Sequence, residues 1–307
     1  SQLGDTVNWT AGGFSNPQFL AQDRVVLQGA AGAHEVQLID FSGDAPAVTR
    51  VSLQGARGKS TADTVAFSGG VVVPYENGEI NMYSLPSGER TVLPFQATLR
   101  PRQTTQWSNP VLPGDDADSF VIMQDRNQLF RIALVASPRP HLSALARRVF
   151  EDDVIYDRVA ALADTVYVIA RQENHDQIIG LSSAELREQT RLELQGRVNW
   201  GPKRLGNQVL LTTDQGGLYC FGTGQSLIWQ NDKFDAQPVG NPSVAGQVYL
   251  IASRDGSLHM INPTDGSIAD SIETSQKISD SPVVISNRAF LPTSDGGLAV
   301  FDLGQAL

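Results

Sequence analysis

The chain is built from a repeated unit. A short turn containing Asp and Gly is followed by an apolar strand seven times along the sequence, and the last three copies are evenly spaced. In these copies the first apolar residues after the turn are Leu218, Leu258 and Leu298, at intervals of 40 residues. A fixed period of this length is typical of propellers and solenoids, because one such unit cannot bury its apolar faces alone.

The same anchor position can be followed through the whole chain. Its intervals are 44, 49, 49, 40, 40 and 40 residues. Nine residues follow the last anchor and thirty-six lead up to and include the first, so the two ends together supply 45 residues, one more interval. A ring of seven units, cut once, would leave this remainder. The seven anchors are Val36, Ile80, Leu129, Ile178, Leu218, Leu258 and Leu298.

The unit around Leu258 shows the order of strands and turns. Residues 248–251 are an apolar run rich in β-formers, residues 254–256 form an Asp/Gly turn, and residues 264–266 form a second turn before a fourth strand. Glycine suits such tight hairpins because it accepts positive φ without steric cost. Four antiparallel strands make a propeller blade. We therefore predict an all-β, seven-bladed β-propeller of four-stranded antiparallel blades, in one domain over residues 1–307.

The N-terminal segment resembles an outer strand. Residues 4–9 match residues 224–229 in the spacing of Gly, an apolar residue and Trp, and the second segment is the predicted fourth strand of its unit. We therefore expect the N-terminal strand to complete the last blade. Main-chain hydrogen bonds would then close the ring and remove the exposed strand edges of an open array.

The pattern V-Y-L-I-x-x-x-D-G-x-L of residues 248–258, followed by a Thr-x-Gly turn, resembles the PQQ-like repeat of quinoprotein-type β-propellers. A Trp some ten residues after the third strand begins, as in Trp229, belongs to the same pattern. The resemblance is specific over roughly residues 200–303, recognisable around Ile80, and weak in the first, third and fourth units. The family includes dehydrogenases that hold pyrroloquinoline quinone and non-catalytic relatives of the BamB type.

Departures from the family pattern favour its non-catalytic branch. The quinone enzymes carry a vicinal cysteine pair and a Glu/Asn/Asp calcium site, normally on eight blades. This chain has a single cysteine, Cys220, so the resemblance implies that PQQ is not a cofactor. Seven units in place of eight imply a distant similarity to BamB-type proteins. By the same resemblance we expect a periplasmic or cell-envelope location.

Composition excludes several classes of function. The formal net charge of −10 would repel a phosphate backbone, so we predict no nucleic-acid partner. No apolar run approaches the roughly 18 residues of a membrane span. The position of Cys220 in a predicted strand favours a buried thiol over a reactive one. The sequence begins at Ser1 without an initiator Met, and we expect a trimmed chain, which leaves room for a leader or lipid anchor outside it.

No catalytic or metal-binding motif stands out. The four histidines are scattered singly, so their spacing predicts no metal site. The acidic run at residues 115–118 lacks the spacing of a calcium loop, and we interpret it as a solvated turn. We therefore predict neither catalytic nor metal-ligating residues.

Two loops exceed what the repeat needs. Residues 137–157 are longer than a usual connection, and residues 141–150 have helical periodicity, which predicts a helix that either caps the ring or docks a partner. Residues 171–176 replace a tight turn by a wider, charged one. In propellers, loops joining second to third strands share a face with those joining successive blades. The candidate partner-binding residues on that face are Arg126, Arg147, Arg148, Glu173, His175, Asp176 and Arg254.

The sequence leaves three functions open. The leading hypothesis is a non-enzymatic, monomeric scaffold that binds a protein partner through its loops. The first alternative is a small-molecule-binding, metal-binding or enzymatic propeller that uses the central channel. The second alternative is a sensor or regulatory propeller cut from a longer protein.

Overall fold

A computed structural model gives the structure of the protein and describes residues 15–21, 23–29, 34–43, 45–114, 117–285 and 287–303. Within these residues the secondary structure is 26 strands and one short 3-10 turn at Thr223–Gln225. The chain divides into two compact units, Ser1–Glu151 and Asp152–Leu307. In the part of the chain that the structure describes, no helix is long and apolar enough to cross a membrane.

Three antiparallel sheets form the first unit, and their strands pair in chain order. Sheet 1 contains β1 (Ser15–Ala21), β2 (Arg24–Gln28), β3 (Glu35–Asp40) and β4 (Ala47–Ser52); sheet 2 contains β5 (Val65–Phe67), β6 (Gly70–Pro74), β7 (Glu79–Ser84) and β8 (Phe95–Gln96); sheet 3 contains β9 (Ser119–Gln124), β10 (Gln128–Val135) and β11 (His141–Val149). In sheet 3 the place of a first strand is taken by two isolated bridges, Trp107 to Gln124 and Val111 to Val121.

Four antiparallel sheets form the second unit. Sheet 4 contains β12 (Val154–Ala161), β13 (Thr165–Arg171), β14 (Asp176–Ser182) and β15 (Glu188–Glu193); sheet 5 contains β16 (Val198–Leu205), β17 (Gln208–Thr213), β18 (Leu218–Phe221) and β19 (Leu227–Asn231); sheet 6 contains β20 (Ser243–Ala245), β21 (Val248–Ala252), β22 (Ser257–Ile261) and β23 (Ile268–Glu273); sheet 7 contains β24 (Val283–Ile285), β25 (Arg288–Pro292) and β26 (Leu298–Asp302). The seven sheets are the blades of a β-propeller, which confirms the predicted fold class. All seven sequence anchors lie in the strand that follows a second-to-third turn.

The core lies between successive sheets within each unit. β6 is buried at all five of its residues, because it lies between sheets that cover both of its faces. One apolar cluster joins sheets 1 and 2 through Val36 and Val71, and another joins sheets 4 and 5 through Ile178 and Leu211. Within each unit, neighbouring sheets therefore bury apolar faces against each other, which is the property that the repeat predicted.

A hydrogen bond between two loops recurs with the same period as the last units. In sheet 5 the backbone N–H of Asp214 donates to Arg197 O at 2.8 Å, and the Asp214 carboxylate accepts the Arg197 N–H at 2.7 Å. The turn after the second strand is thereby tied to the segment that leads into the first. We call this tie the turn clasp. The same backbone bond runs from Arg254 to Gln237 and from Ser294 to Lys277, each pair displaced by 40 residues from the one before.

The predicted helix over residues 141–150 is wrong. This segment is β11, which pairs with β10 along its whole length, from His141 opposite Val135 to Val149 opposite Gln128. A register shift leaves Leu145 as an extra residue in the strand, and its side chain is exposed. The Ala, Leu and Arg residues of the segment favour a helix by propensity, but pairing with a fully formed neighbouring strand outweighs that preference.

Three predictions fall partly or wholly outside the described residues. The N-terminal strand at residues 4–9 lies there, and in the described part sheet 7 has three strands with β26 at its edge. Of the acidic run at 115–118, Asp118 is described, and its carboxylate accepts hydrogen bonds from Ser119 and Arg131. The single domain over residues 1–307 stays a prediction.

Candidate functional site

Three of the predicted binding residues meet at one end of sheet 3. Arg126 lies in the turn between β9 and β10, and Arg147 and Arg148 lie at the end of β11 beside that turn. The ladder explains this arrangement, because Leu129 pairs with Arg148 and Phe150 N–H donates to Asn127 O at 2.8 Å. The structure therefore gathers three arginines from two sequence segments at one edge. We call them the arginine end.

The turn that carries Arg126 is held in an unusual conformation. Both Asp125 and Arg126 have positive φ, at 48° and 59°, which strains residues other than glycine. The Asp125 carboxylate accepts hydrogen bonds from the Thr105 hydroxyl at 2.9 Å and the Gln106 N–H at 2.8 Å. These bonds offset the strain and fix the position from which Arg126 projects.

The other two arginines pack against aromatic rings. The Arg147 guanidinium lies 5.8 Å from the centroid of Phe130 and donates to the Gln128 side chain at 2.6 Å. The Arg148 guanidinium lies 5.0 Å from the centroid of Phe150. Such cation–π contacts hold a long side chain in place at an exposed edge.

A second group of predicted residues lies at the turn between β13 and β14. Gln172 N–H donates to His175 O at 2.9 Å and closes this turn, which leaves Glu173 exposed at its tip. The Glu173 carbonyl accepts a hydrogen bond from the Arg197 side chain at 2.5 Å. The His175 ring lies 3.9 Å from the Glu193 carboxylate. The wide turn predicted at residues 171–176 is therefore anchored to the segment between sheets 4 and 5.

Asp176 differs from the others because its side chain is fully buried, with 0% exposure. One carboxylate oxygen accepts the backbone N–H of Val198 at 2.8 Å. The backbone of Asp176 also donates to Gly196 O and accepts from Leu194 N, both at 2.9 Å. Asp176 therefore fastens the turn of sheet 4 to the start of sheet 5.

Its remaining carboxylate oxygen faces Arg171, at 3.8 Å from Nε. The Arg171 guanidinium also stacks over Tyr156, with its Cζ 4.2 Å from the ring centroid. Val154, Arg171 and Asp176 form one row across β12, β13 and β14. Sequence reasoning did not single out Arg171, Tyr156 or Val154. Pairing the two ends of the predicted β13–β14 hairpin would have placed Arg171 opposite Asp176.

Arg254 is separate from both groups. It lies exposed in the turn between β21 and β22, in sheet 6, where its backbone N–H makes the turn clasp to Gln237. The seven predicted residues therefore lie at turns or strand ends in three sheets. The structure brings them together in two groups, one of Arg126, Arg147 and Arg148, and the other of Glu173, His175 and Asp176.

The buried polar groups outside these turns favour structural roles. Burial raises the pKa of the Cys220 thiol to about 12, and the thiol donates to Gln208 Oε1 at 3.1 Å. Burial lowers the pKa of His259, whose ring packs edge-on to Phe234 and contacts the Ser271 hydroxyl. Within the described residues, no three His, Cys, Asp or Glu side chains are grouped so that they could hold a metal ion.

Seven antiparallel sheets with charged residues on their turns define a repeat β-propeller. A family model described as outer membrane protein assembly factor BamB matches residues 125–271 and 223–306, which together cover more than half of the chain. The chain therefore belongs to this family, and the resemblance to PQQ-like repeats is confirmed. A search of curated protein sequences found no match.

Solved structures support the fold. BamB from Moraxella catarrhalis superposes with a TM-score of 0.61 at 16% identity, over 94% of this chain and 84% of that one. Sqt1 from Saccharomyces cerevisiae gives a TM-score of 0.64 at 11% identity, over 95% and 82% of the two chains. AztD from Citrobacter koseri gives 0.59 at 13% identity, over 86% and 73%. At these identities the likeness concerns the fold alone.

Proposed function

We propose that the protein is a non-enzymatic scaffold that binds protein partners through charged turns, which are the arginine end in the first unit and the turn of Glu173 in the second. The observation that supports this most directly is that charged, exposed side chains project from turns that are fixed by carboxylate hydrogen bonds. Asp125 fixes the turn of Arg126, and Asp176 fixes the turn of Glu173. A surface that is already ordered loses little conformational entropy when a partner binds.

The family match supports a partner in the cell envelope. The matching family is described as an outer membrane protein assembly factor, and a relative of that family has the same fold. This likeness supports the proposal of a periplasmic or envelope location, with a partner from the assembly of envelope proteins. Positive residues at the arginine end, in a chain with net charge −10, would steer an acidic partner surface toward that end of sheet 3.

The test is quantitative capture of partners from an envelope extract. Immobilised protein is compared with the double variant R126A/R147A, and bound proteins are identified and quantified by mass spectrometry. We expect at least one envelope protein to be enriched on the wild type and reduced roughly tenfold on the variant, because interface arginines are frequent hot spots.

The matched control is R139A. Arg139 is also exposed, but it lies in the connection between β10 and β11, at the opposite end of sheet 3. Capture should be unchanged in this variant. Equal capture by R126A/R147A and the wild type, with both proteins folded, would contradict the proposal.

A further inference from the structure

We propose that Arg171 is a preorganised anchor for a carboxylate side chain of the protein partner. The inference rests on the proposed scaffold function and deepens it by naming the chemistry that one point of the surface recognises. It concerns the row formed by Val154, Arg171 and Asp176, with Tyr156 beside it.

The first step is that Arg171 is held in place. Its Nε faces the buried carboxylate of Asp176 at 3.8 Å, and its guanidinium plane lies 4.2 Å from the ring of Tyr156. The Asp176 carboxylate is itself fixed by the N–H of Val198. An arginine fixed on both its edge and its face has little rotamer freedom left to lose on binding.

The second step is that the binding end of Arg171 is unused. The side chain is 39% exposed, and within the part of the chain that the structure describes its guanidinium donates no hydrogen bond. A guanidinium carries five N–H donors, and the contact with Asp176 is on the Nε side. The two terminal nitrogens therefore leave a fork that matches the two oxygens of a carboxylate.

The third step is the surroundings, which favour a carboxylate on a peptide over a free anion. Val154, opposite Arg171 in the ladder, is 64% exposed and offers an apolar contact beside the fork. Glu173 and Glu193 are exposed on the same turn and sheet, and their charge opposes a doubly charged phosphate more strongly than a singly charged carboxylate. A Glu or Asp flanked by an apolar residue meets both features.

The experiment is an NMR titration of the whole chain, following the Nε–Hε signal of Arg171. The signal is assigned by its loss in R171K. The probes are the capped peptides acetyl-Leu-Glu-Leu-amide and acetyl-Leu-Gln-Leu-amide, and inorganic phosphate. We expect a saturable shift with the Glu peptide, at least about fivefold weaker binding of the Gln peptide, and weaker binding of phosphate.

Variants separate the role of Arg171 from general charge. R171K keeps the charge but removes the fork, so its affinity for the Glu peptide, measured by calorimetry, should fall about tenfold. R187K changes an exposed arginine at the opposite end of sheet 4 and should bind like the wild type. D176N should loosen Arg171. If D176N does not fold, Y156L takes its place, because it removes the ring that stacks on Arg171. Either variant should bind the Glu peptide more weakly than the wild type does.

Three results would overturn the inference. In the first, the Glu peptide gives no saturable shift; in the second, the Gln peptide binds as tightly as the Glu peptide; in the third, phosphate binds more tightly than the Glu peptide. These failures are distinguishable from failure of the scaffold function. If capture of an envelope protein depends on the arginine end but not on Arg171, the scaffold stands and the carboxylate anchor falls. If no partner is captured at all, the peptide titration still decides what Arg171 binds.

Discussion

At the scale of single residues, burial separates side chains that serve the fold from those that serve the surface. Asp176 and Glu173 lie three positions apart in one turn, yet the first is fully buried and the second is exposed. The sequence predicted both as contributors to one binding surface. Their different surroundings depend on the backbone N–H of Val198 and on Arg171, that is, on packing between sheets that a charge pattern does not reveal.

Cys220 gives a direct test of burial at this scale. Its side chain is 0% exposed and burial raises the pKa of the thiol to about 12, so the reactive thiolate is both scarce and shielded at pH 8. We expect no reaction with Ellman's reagent in the native protein, and complete reaction in guanidinium chloride. In the S294C variant, which adds a thiol at an exposed turn, one thiol should react at once. Rapid labelling of native wild-type protein would contradict the described packing.

At the scale of elements, the repeat predicted strands and turns well and failed where local preference opposed long-range pairing. The turn residues Asp255 and Gly256 marked a hairpin that the structure contains, because tight turns need these residue types. The segment around Leu145 has the composition of a helix, and only the partner strand β10 makes it β11. Sequence periodicity reports the local preference of a segment, but it does not report pairing with another strand.

A pair of glycines tests how outer strands attach to the next sheet. Gly266 has φ +72°, and a Cβ there would lie 2.3 Å from the ring of Trp229, whose N–H donates to Pro263 O. Gly224 has nearly the same φ, +71°, with no atom within 4 Å of the added carbon.

We expect G266A to lower the free energy of unfolding by about 2–4 kcal/mol, since strain and overpacking add. G224A should cost only about 1 kcal/mol, from strain alone. Urea denaturation of both variants measures the difference. Equal losses would show that the contact between Trp229 and Gly266 does not constrain the fold.

At the scale of the whole molecule, the family and the number of blades followed from the sequence because each unit carries the same signals. The candidate site followed only in part. The turns were identified, whereas the stacking of Arg171 on Tyr156 joins residues of two strands and is set by tertiary packing. The prediction that residues 4–9 complete the last blade also stays a prediction, motivated by the edge position of β26 among the described strands.

Deletion of residues 1–12 tests that prediction. If this segment supplies the fourth strand of sheet 7, its loss removes a row of main-chain hydrogen bonds and should lower the melting temperature by several degrees. The measurement is differential scanning calorimetry of the deleted and full chains. A mutated full-length control, with Val7→Asp and Trp9→Ser, should show most of the same effect. An unchanged transition in both proteins would contradict strand completion.

The turn clasp has an evolutionary consequence. The clasped positions are 17 apart in sheets 5, 6 and 7, as shown by Arg197 with Asp214, and Lys59 with Glu76 keeps that separation in sheet 2, although the earlier units are longer. In sheet 2 the extra residues therefore lie outside the stretch that the clasp encloses, whereas in sheet 3 the same two bonds join Gln106 and Asp125, which are 19 positions apart. Gene duplication can copy a unit that contains its own stabilising contacts. Loops for recognition can then be inserted outside the clasp without a change in the strand register inside it.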